Sequence, residues 1–155
     1  MAKASAGLLL YRRRAGGLEV LLVHPGGPFW AKKDAGAWTI PKGEIAPGED
    51  PLDTARREFA EETGRTVAGA FHALAPVRQA GGKTVQAWAV EADLDPASIA
   101  SNRFEMEWPP RSGRRQSFPE IDRAAWFALE AARAKINPAQ AALLDELAAL
   151  AGATG

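Results

Sequence analysis

Three glutamates lie close together near the middle of the chain. Glu58, Glu61 and Glu62 occur in the stretch REFAEETG, at positions i, i+3 and i+4. In a helix this spacing places all three carboxylates on one face. Gly64 follows them, and glycine is a typical residue just beyond a helix C-terminus. The sequence therefore predicts an acidic cluster in the last turn of a helix.

This arrangement is unfavourable for a helix that binds nothing. Like charges at helical spacing cost roughly 0.2–0.5 kcal/mol per pair, and acids in the last turn oppose the helix dipole by a further ~0.3–1 kcal/mol. A solvated charged face is the alternative interpretation. A divalent cation would turn the repulsion into coordination, and carboxylate oxygens without cysteine suit Mg²⁺ or Mn²⁺. We therefore predict that Glu58, Glu61 and Glu62 bind a metal ion.

The helix that carries the cluster has clear boundaries in the sequence. Asp50 is a typical N-cap residue and is followed by a proline, which is favoured at the first helical position. The helix is predicted to run over residues 51–63. Its apolar side contains Leu52, Ala55 and Phe59, and the glutamates lie largely on another side.

Strand-like segments surround this helix. The apolar stretches ASAGLLLYRRR and LEVLLVH flank a turn at residues 15–17 and predict a hairpin inside a covered sheet. Further strands are predicted in WTI, TVAGAFHALAPVRQ, KTVQAWAVEAD, NRFEMEW and AAWFAL. The stretch PPRSGRRQSFPE is predicted to be a loop, and NPAQAALLDELAALA a helix with Asn137 as its N-cap. The sequence predicts an α/β fold with helices on both sides of a mixed sheet.

Composition restricts the class of protein. The chain has 155 residues, of which 46% are apolar and 25% charged, as in ordinary globular domains. Nineteen basic residues balance nineteen acidic ones, so no overall field favours double-stranded nucleic acid or an anionic membrane. The absence of cysteine excludes disulfides and fits a reducing cytoplasm. We expect one cytoplasmic domain over residues 1–155, with no membrane partner; the oligomeric state stays open.

The segment from Gly43 to Gly64, GEIAPGEDPLDTARREFAEETG, resembles the Nudix box. That pattern is Gly, five residues, Glu, seven residues, Arg-Glu, a bulky apolar residue, any residue, Glu-Glu, any residue and Gly. The chain matches these positions and departs only at the apolar residue that usually follows, where it has Arg65. The stretches SAGLLLYRR, VLLVHPGGP, GAWTIPKGE and EIDRAAWF also resemble bacterial Nudix proteins.

The resemblance implies a Nudix-like α/β/α sandwich and an activity. That activity is metal-dependent hydrolysis of a pyrophosphate bond in a nucleoside diphosphate derivative, such as a dinucleoside polyphosphate or a nucleoside triphosphate. Glu58, Glu61 and Glu62 correspond to the metal-binding glutamates of the family, and the carbonyl oxygen of Gly43 corresponds to a further ligand. The implied cofactor is Mg²⁺ or Mn²⁺, and the implied partner is a small nucleotide.

Two further roles follow from the resemblance. Glu49 and Arg57 correspond to a pair that braces the helix against the preceding loop. A carboxylate is expected to activate water, and the candidates are Glu58, Glu61 and, outside the box, Glu120. In similar enzymes that act on dinucleoside polyphosphates, a glutamate ahead of the last strand approaches the metals. A capping role is the alternative for Glu120.

Residues outside the box suggest how a nucleotide is bound. Lys42 adjoins the box glycine, so it is either a phosphate contact or a surface lysine. Trp30 lies in a loop rich in glycine and proline and is the candidate for stacking on a base, whereas Trp38 is expected in the core. Arg114 and Arg115 either bind phosphate oxygens or belong to a solvated loop.

Two alternative functions differ from hydrolysis in the residues that they require. A Nudix-fold nucleotide-binding or regulatory module without catalysis would be indicated by lost box glutamates, and none is lost. Isoprenyl diphosphate isomerases of this fold use a cysteine, which this chain lacks. The stretch GGKT at residues 81–84 is followed by a strand and is therefore a hairpin turn, not a phosphate-binding loop.

Overall fold

A computed structural model of the protein describes residues 3–151. Its strands are β1 (Ala4–Arg14), β2 (Gly17–Pro25), β3 (Lys42–Glu44), β4 (His72–Ala73), β5 (Val77–Arg78), β6 (Thr84–Glu91), β7 (Arg103–Glu107), β8 (Arg115–Pro119) and β9 (Ile121–Ala128). Its helices are α1 (Pro51–Thr63), α2 (Leu129–Lys135) and α3 (Ala141–Leu150).

The main sheet is mixed, as predicted. Its strand order is β4-β6-β1-β2-β9, with β3 paired to β1 and β5 paired to β6. Strand β1 runs parallel to β6 and antiparallel to β2 and β3, and β2 runs antiparallel to β9. Strands β7 and β8 form a separate antiparallel hairpin. Strand β9 is therefore an edge of the main sheet, and β1 lies at its centre.

Both faces of the sheet are covered by helices. Successive leucines of β1 alternate between the faces, so Leu8 and Leu10 pack with Phe59 of α1, whereas Leu9 packs with Leu143 and Leu147 of α3. All of these side chains are buried, which explains why β1 and β2 are apolar at nearly every position. The predicted α/β/α sandwich is thus confirmed. No helix within residues 3–151 combines the length and apolar character needed to cross a membrane.

Helix α1 begins and ends as the sequence predicts. The side chain of Asp50 accepts hydrogen bonds from the backbone N–H groups of Leu52 and Asp53 at 3.1 and 3.2 Å, a cap that is typically worth ~1 kcal/mol. Gly64 has a φ of 72° and donates its N–H to the carbonyl of Ala60 at 2.8 Å. A residue with a side chain would be strained in this left-handed conformation. The glutamate cluster therefore lies in the last turn.

Several predicted elements differ from the structure. The stretch WTI is not a strand but makes isolated bridges, from Thr39 to Val23 and from Trp38 to Ile136. The stretch TVAGAFHALAPVRQ contains only the short strands β4 and β5. The loop predicted for PPRSGRRQSFPE is wrong over residues 115–119, which form β8 and pair with β7.

The C-terminal part also differs in detail. The last strand begins at Ile121 and is longer than AAWFAL. Helix α2 follows it directly and was not predicted. Asn137 caps a 3-10 turn, by accepting the N–H of Ala139 at 2.9 Å, and α3 begins only after this turn at Ala141.

Candidate active site

The glycine of the box lies directly against the acidic helix. Strand β3 pairs with β1 and carries Gly43 to the side chain of Glu58. A Cβ atom at position 43 would overlap the Glu58 carboxylate. A larger residue at position 43 would displace the Glu58 side chain. The close approach also brings the main chain of β3 next to the acidic face of α1.

Arg57 connects the glutamates that surround it. Its Nε and Nη2 donate to the two carboxylate oxygens of Glu49, both at 2.9 Å. Its Nη1 donates to Glu58 at 2.9 Å and to Glu61 at 3.1 Å. The hydroxyl of Thr54 donates to Glu49 at 2.7 Å. Hydrogen bonds from Arg57, and then from Thr54, lower the pKa of Glu49 to about 2. The ionised Glu49 therefore connects the loop before α1 to the helix through a bidentate salt bridge with Arg57.

Glu62 has a different environment from the other acids. Burial, followed by the charge of Glu58, raises the pKa of Glu62 to about 8, while the backbone and ammonium group of Lys42 act in the opposite direction. Among residues 3–151, no basic side chain forms an ion pair with the Glu62 carboxylate. Burial also raises the pKa of Glu58, with a further contribution from Glu61. Two adjacent acids thus resist ionisation in the absence of a cation.

The carboxylates do not all point to one place. Glu58 and Glu61 both face the guanidinium of Arg57, and within the part of the chain that the structure describes no three acidic or histidine side chains form a group that could enclose a metal ion. The donor chemistry nevertheless fits a hard divalent cation, because the groups are carboxylate oxygens and Glu62 lacks a paired base.

Glu120 is held near the box by backbone hydrogen bonds. Its N–H donates to the carbonyl of Asn102 at 2.9 Å, and its carbonyl accepts the N–H of Gly26 at 2.8 Å. The N–H of Asn102 in turn donates to the carbonyl of Glu61 at 2.9 Å. The side chain of Glu120 is exposed, and its charge contributes to the raised pKa of Glu62. Glu120 therefore belongs to the region of the box, although it is distant in sequence.

A cleft opens beside Glu120. It has a volume of 380 Å³ and is lined by residues 25–30, by Phe104 and Met106 of β7, and by Glu120. Trp30 is 38% exposed in this cleft. The cleft falls in the size range of small-molecule sites, which are mostly apolar with a few polar groups. We name it the aromatic cleft.

Phe104 and Met106 were not predicted as site residues. In the stretch NRFEMEW they alternate with Glu105 and Glu107, a pattern that indicates an apolar face of a strand but not what covers that face. Gly27 has a φ of 96°, and a Cβ atom there would lie 2.9 Å from the Phe104 ring. This close approach lets the loop after β2 form one wall of the aromatic cleft.

The other predicted site residues lie in different surroundings. Lys42 is half-buried, and burial lowers its pKa. Arg114 and Arg115 are exposed at the end of the β7–β8 hairpin, where Arg115 pairs with Glu105 at 3.4 Å. Trp38 is only 5% exposed, which confirms its predicted place in the core. The structure thus gathers the box and Glu120, and places the two arginines on a separate hairpin.

Known proteins resemble this chain in sequence and in fold. A family model of the NUDIX domain matches residues 1–147. The asymmetrical bis(5'-nucleosyl)-tetraphosphatase of Caenorhabditis elegans is 41% identical over 66 residues, which cover 43% of this chain and 44% of that protein. The RNA pyrophosphohydrolase of Rhodopseudomonas palustris is 40% identical over 58 residues, covering 37% of this chain and 28% of that protein. The chain spans less than half the length of these curated relatives.

A solved structure extends the comparison to the whole chain. The C. elegans Ap4A hydrolase, in a binary complex, superimposes with a TM-score of 0.67 at 27% identity, and the alignment covers 97% of this chain and 98% of that one. The family model covers far more than half of the chain. This chain belongs to the Nudix family.

Proposed function

We propose that this protein hydrolyses a pyrophosphate bond in a nucleotide derivative with the help of a divalent metal ion. The observation that carries the proposal is Glu62, a half-buried carboxylate that lies next to Glu58 and has no paired base among the described residues. The C-terminal end of a helix attracts cations. A bound cation explains why an acid with a raised pKa occupies this position, and Nudix proteins generally depend on a divalent metal.

The proposed ligands of Mg²⁺ or Mn²⁺ are the carboxylates of Glu58, Glu61 and Glu62 and the carbonyl oxygen of Gly43. All are hard oxygen donors on α1 and β3. The ion, when bound, would neutralise the diphosphate oxygens and lower the pKa of a water molecule. Glu58 and Glu61 would have to turn away from Nη1 of Arg57 to act as ligands.

The remaining residues of the box have a supporting role in this proposal. Glu49 and Arg57 orient the acidic face through their two-pronged contact, and neither takes part in the chemical step. The attacking water loses its proton to a carboxylate of Glu58, Glu61 or Glu120 while the bond from phosphorus to the bridging oxygen breaks. Glu120 is the one of these three that Arg57 does not contact. The products are two phosphate-containing fragments.

The substrate is proposed to be a nucleotide that carries a polyphosphate. Its base would stack on Trp30 in the aromatic cleft, which lies next to Glu120. Lys42 would contact a phosphate beside the box, and Arg114 and Arg115 would meet additional phosphates of a longer chain. The names of the C. elegans tetraphosphatase and the R. palustris RNA pyrophosphohydrolase support this substrate class. The lack of cysteine supports a cytoplasmic location.

The decisive experiment is a substrate panel with Mg²⁺ and identification of products by mass spectrometry. The panel contains diadenosine tetraphosphate, nucleoside triphosphates, 5'-triphosphorylated RNA, ADP-ribose and a nucleotide sugar. Glu61→Gln should keep the fold and lower turnover by about 10²- to 10⁴-fold, whereas Glu130→Gln, an exposed change on α2, should have no effect.

Activity that persists unchanged in excess chelator would contradict the metal-dependent mechanism. Binding of these nucleotides without any turnover, in the parent protein with Mg²⁺ or Mn²⁺, would instead support the alternative of a nucleotide-binding module. The added metal should also raise the melting temperature of the parent more than that of Glu61→Gln, because ligands stabilise the state that binds them.

A further inference from the structure

A second cavity lies beside the edge strand β9, apart from the box. It has a volume of 450 Å³ and is lined by residues 31–34, by Trp38 and Phe127, by residues 123–125 and by Lys135. We name it the cationic pocket, because its charged lining residues are four bases and one acid. These residues are Lys32, Lys33, Arg123, Lys135 and Asp34.

The single acid of the cationic pocket is already engaged. Asp34 accepts the indole N–H of Trp38 at 2.7 Å and pairs with the ammonium group of Lys135. Both contacts lower the pKa of Asp34, so it stays ionised and offsets the charge of Lys135. Three bases remain for a ligand. This is a local excess of positive charge on a chain whose formal net charge is zero.

The three remaining bases are only weakly compensated. The guanidinium of Arg123 lies 5.2 Å from the Trp38 ring and is 3.8 Å from Asp122, which is at the outer limit of an ion pair. Lys33 lies 5.0 Å from the ring of Trp30. Lys32 is exposed and forms no ion pair with the residues that the structure describes. Arg123 and Lys33 are thus positioned by aromatic rings more than by carboxylates.

A buried histidine fixes the two walls of the pocket relative to each other. The Nδ1 of His24 lies 2.9 Å from a carboxylate oxygen of Asp122 on β9, and its Nε2 lies 2.6 Å from the carbonyl oxygen of Lys33. His24 is fully buried and packs edge-on against Trp38 at 5.2 Å. The loop and the edge strand are therefore connected through one side chain, and the pocket is held in shape before any ligand enters.

Consecutive residues of one loop line the aromatic cleft and the cationic pocket. Trp30 lines the cleft, and residues 31–34, which follow it directly, line the pocket. The N–H of Lys33 donates to the carbonyl of Trp30 at 2.9 Å. On the other wall, Glu120 lines the cleft, and Arg123, which follows it closely in the sequence, lines the pocket. A nucleotide stacked on Trp30 could therefore extend a second phosphate group toward Arg123.

We propose that the cationic pocket is a phosphate-binding site, with Arg123 as its main donor and Lys32 and Lys33 as supporting cations. A guanidinium matches phosphate oxygens with paired donors and stacks on aromatic rings, and the ring of Trp38 already lies 5.2 Å from the guanidinium of Arg123. The phosphate can come from a nucleotide chain whose first base lies in the aromatic cleft, or from free inorganic phosphate. The site is separate from the box and adds to the proposed function without requiring metal or hydrolysis.

The test is a binding titration of the ¹⁵N-labelled protein in EDTA at constant ionic strength. The probes are inorganic phosphate, AMP and the dinucleotide pApA, and the signals are the indole N–H groups of Trp30 and Trp38. Arg123→Gln is compared with Arg78→Gln, which removes the same charge from an exposed position on β5, at the opposite side of the sheet. Lys32→Gln is a second variant, at an exposed position where the fold is not at risk.

The site is supported if a probe shifts the Trp38 signal saturably and Arg123→Gln weakens that binding about tenfold, while Arg78→Gln leaves it unchanged. If pApA binds more tightly than AMP, and Arg123→Gln abolishes this difference, the ligand of the pocket is a phosphate of the nucleotide chain. If AMP and pApA bind equally and the response to inorganic phosphate depends on Arg123, the ligand of the pocket is the free anion. No response of Trp38 to any probe, or equal weakening by Arg123→Gln and Arg78→Gln, overturns the proposal.

Discussion

At the scale of single residues, Glu62 links folding stability to pH. Its pKa in the folded protein is about 8, above the ordinary value of 4.5. Between these values the folded state binds more protons than the unfolded chain. The free energy of unfolding of the metal-free protein should therefore fall as the pH rises from about 4.5 to about 8, and this contribution should stay constant at higher pH.

We predict that Glu62→Gln removes this loss of stability. In EDTA, the free energy of unfolding of the parent should decrease between pH 5 and pH 8.5 by ~1–3 kcal/mol more than that of the variant, as measured by urea denaturation. Glu130→Gln serves as the control, because Glu130 is exposed on α2. Parallel pH profiles for the parent and Glu62→Gln would show that burial of Glu62 does not impede its ionisation.

At the scale of elements, local signals predicted local structure. Helix α1 was identified by Asp50 and Gly64 at its ends, and the β1–β2 hairpin by two apolar runs around a short turn. Strand β8 was missed because its residues are mostly exposed, so only pairing with β7 stabilises it. Helix α2 was missed because it follows β9 without a side-chain cap at Ala128, and no residue there marks a boundary.

The candidate active site shows the same difference between what local sequence signals predict and what only the fold determines. The spacing of the box glutamates was enough to predict that they share the last turns of one helix, but it did not predict that Glu58 and Glu61 would face Arg57. The aromatic cleft combines residues 25–30 with Phe104, Met106 and Glu120, which are joined only by the fold. A sequence pattern identifies each of these segments, but it does not specify which of them meet, because their contacts depend on the packing of a distant hairpin against the loop after β2.

The contact between the box loop and α1 leads to a prediction at this scale. Arg57→Ala removes the two hydrogen bonds to Glu49 and the bonds to Glu58 and Glu61. We expect metal affinity or turnover to fall about 10- to 100-fold, as is typical when groups that orient metal ligands are lost, while the overall fold is retained. Metal titration and steady-state kinetics would measure this.

Arg56→Ala is the matched control, because the neighbouring Arg56 is exposed and stacks on Phe71 instead of contacting the acids. Arg57→Lys should restore little, since an ammonium group cannot reproduce the two-pronged contact. If metal affinity and rate are unchanged in Arg57→Ala, Glu49 and Arg57 do not brace the site.

At the scale of the whole molecule, one series of backbone hydrogen bonds connects the box to the aromatic cleft. The carbonyl of Glu61 accepts the N–H of Asn102, the carbonyl of Asn102 accepts the N–H of Glu120, and the carbonyl of Glu120 accepts the N–H of Gly26. These bonds run from the end of α1, past the base of the β7–β8 hairpin and the start of β9, to the loop after β2. The box and the aromatic cleft are therefore connected through three successive backbone hydrogen bonds.

Because these hydrogen bonds connect the box to a cleft that contains Trp30, we predict a preference for substrates with a base and several phosphates. Diadenosine tetraphosphate should be hydrolysed with a higher kcat/KM than ADP-ribose or a nucleotide sugar. Trp30→Ala should raise KM about 5- to 100-fold, because base stacking on an aromatic ring is worth about 1–3 kcal/mol, and Trp30→Phe should restore much of the loss.

Replacing Arg114 and Arg115 with glutamine should lower kcat/KM for longer phosphate chains more than for short ones. Arg78→Gln on the far side of the sheet should affect all substrates equally little. A clear preference for ADP-ribose over diadenosine tetraphosphate would refute this ranking, while hydrolysis of either would leave the pyrophosphatase proposal in place.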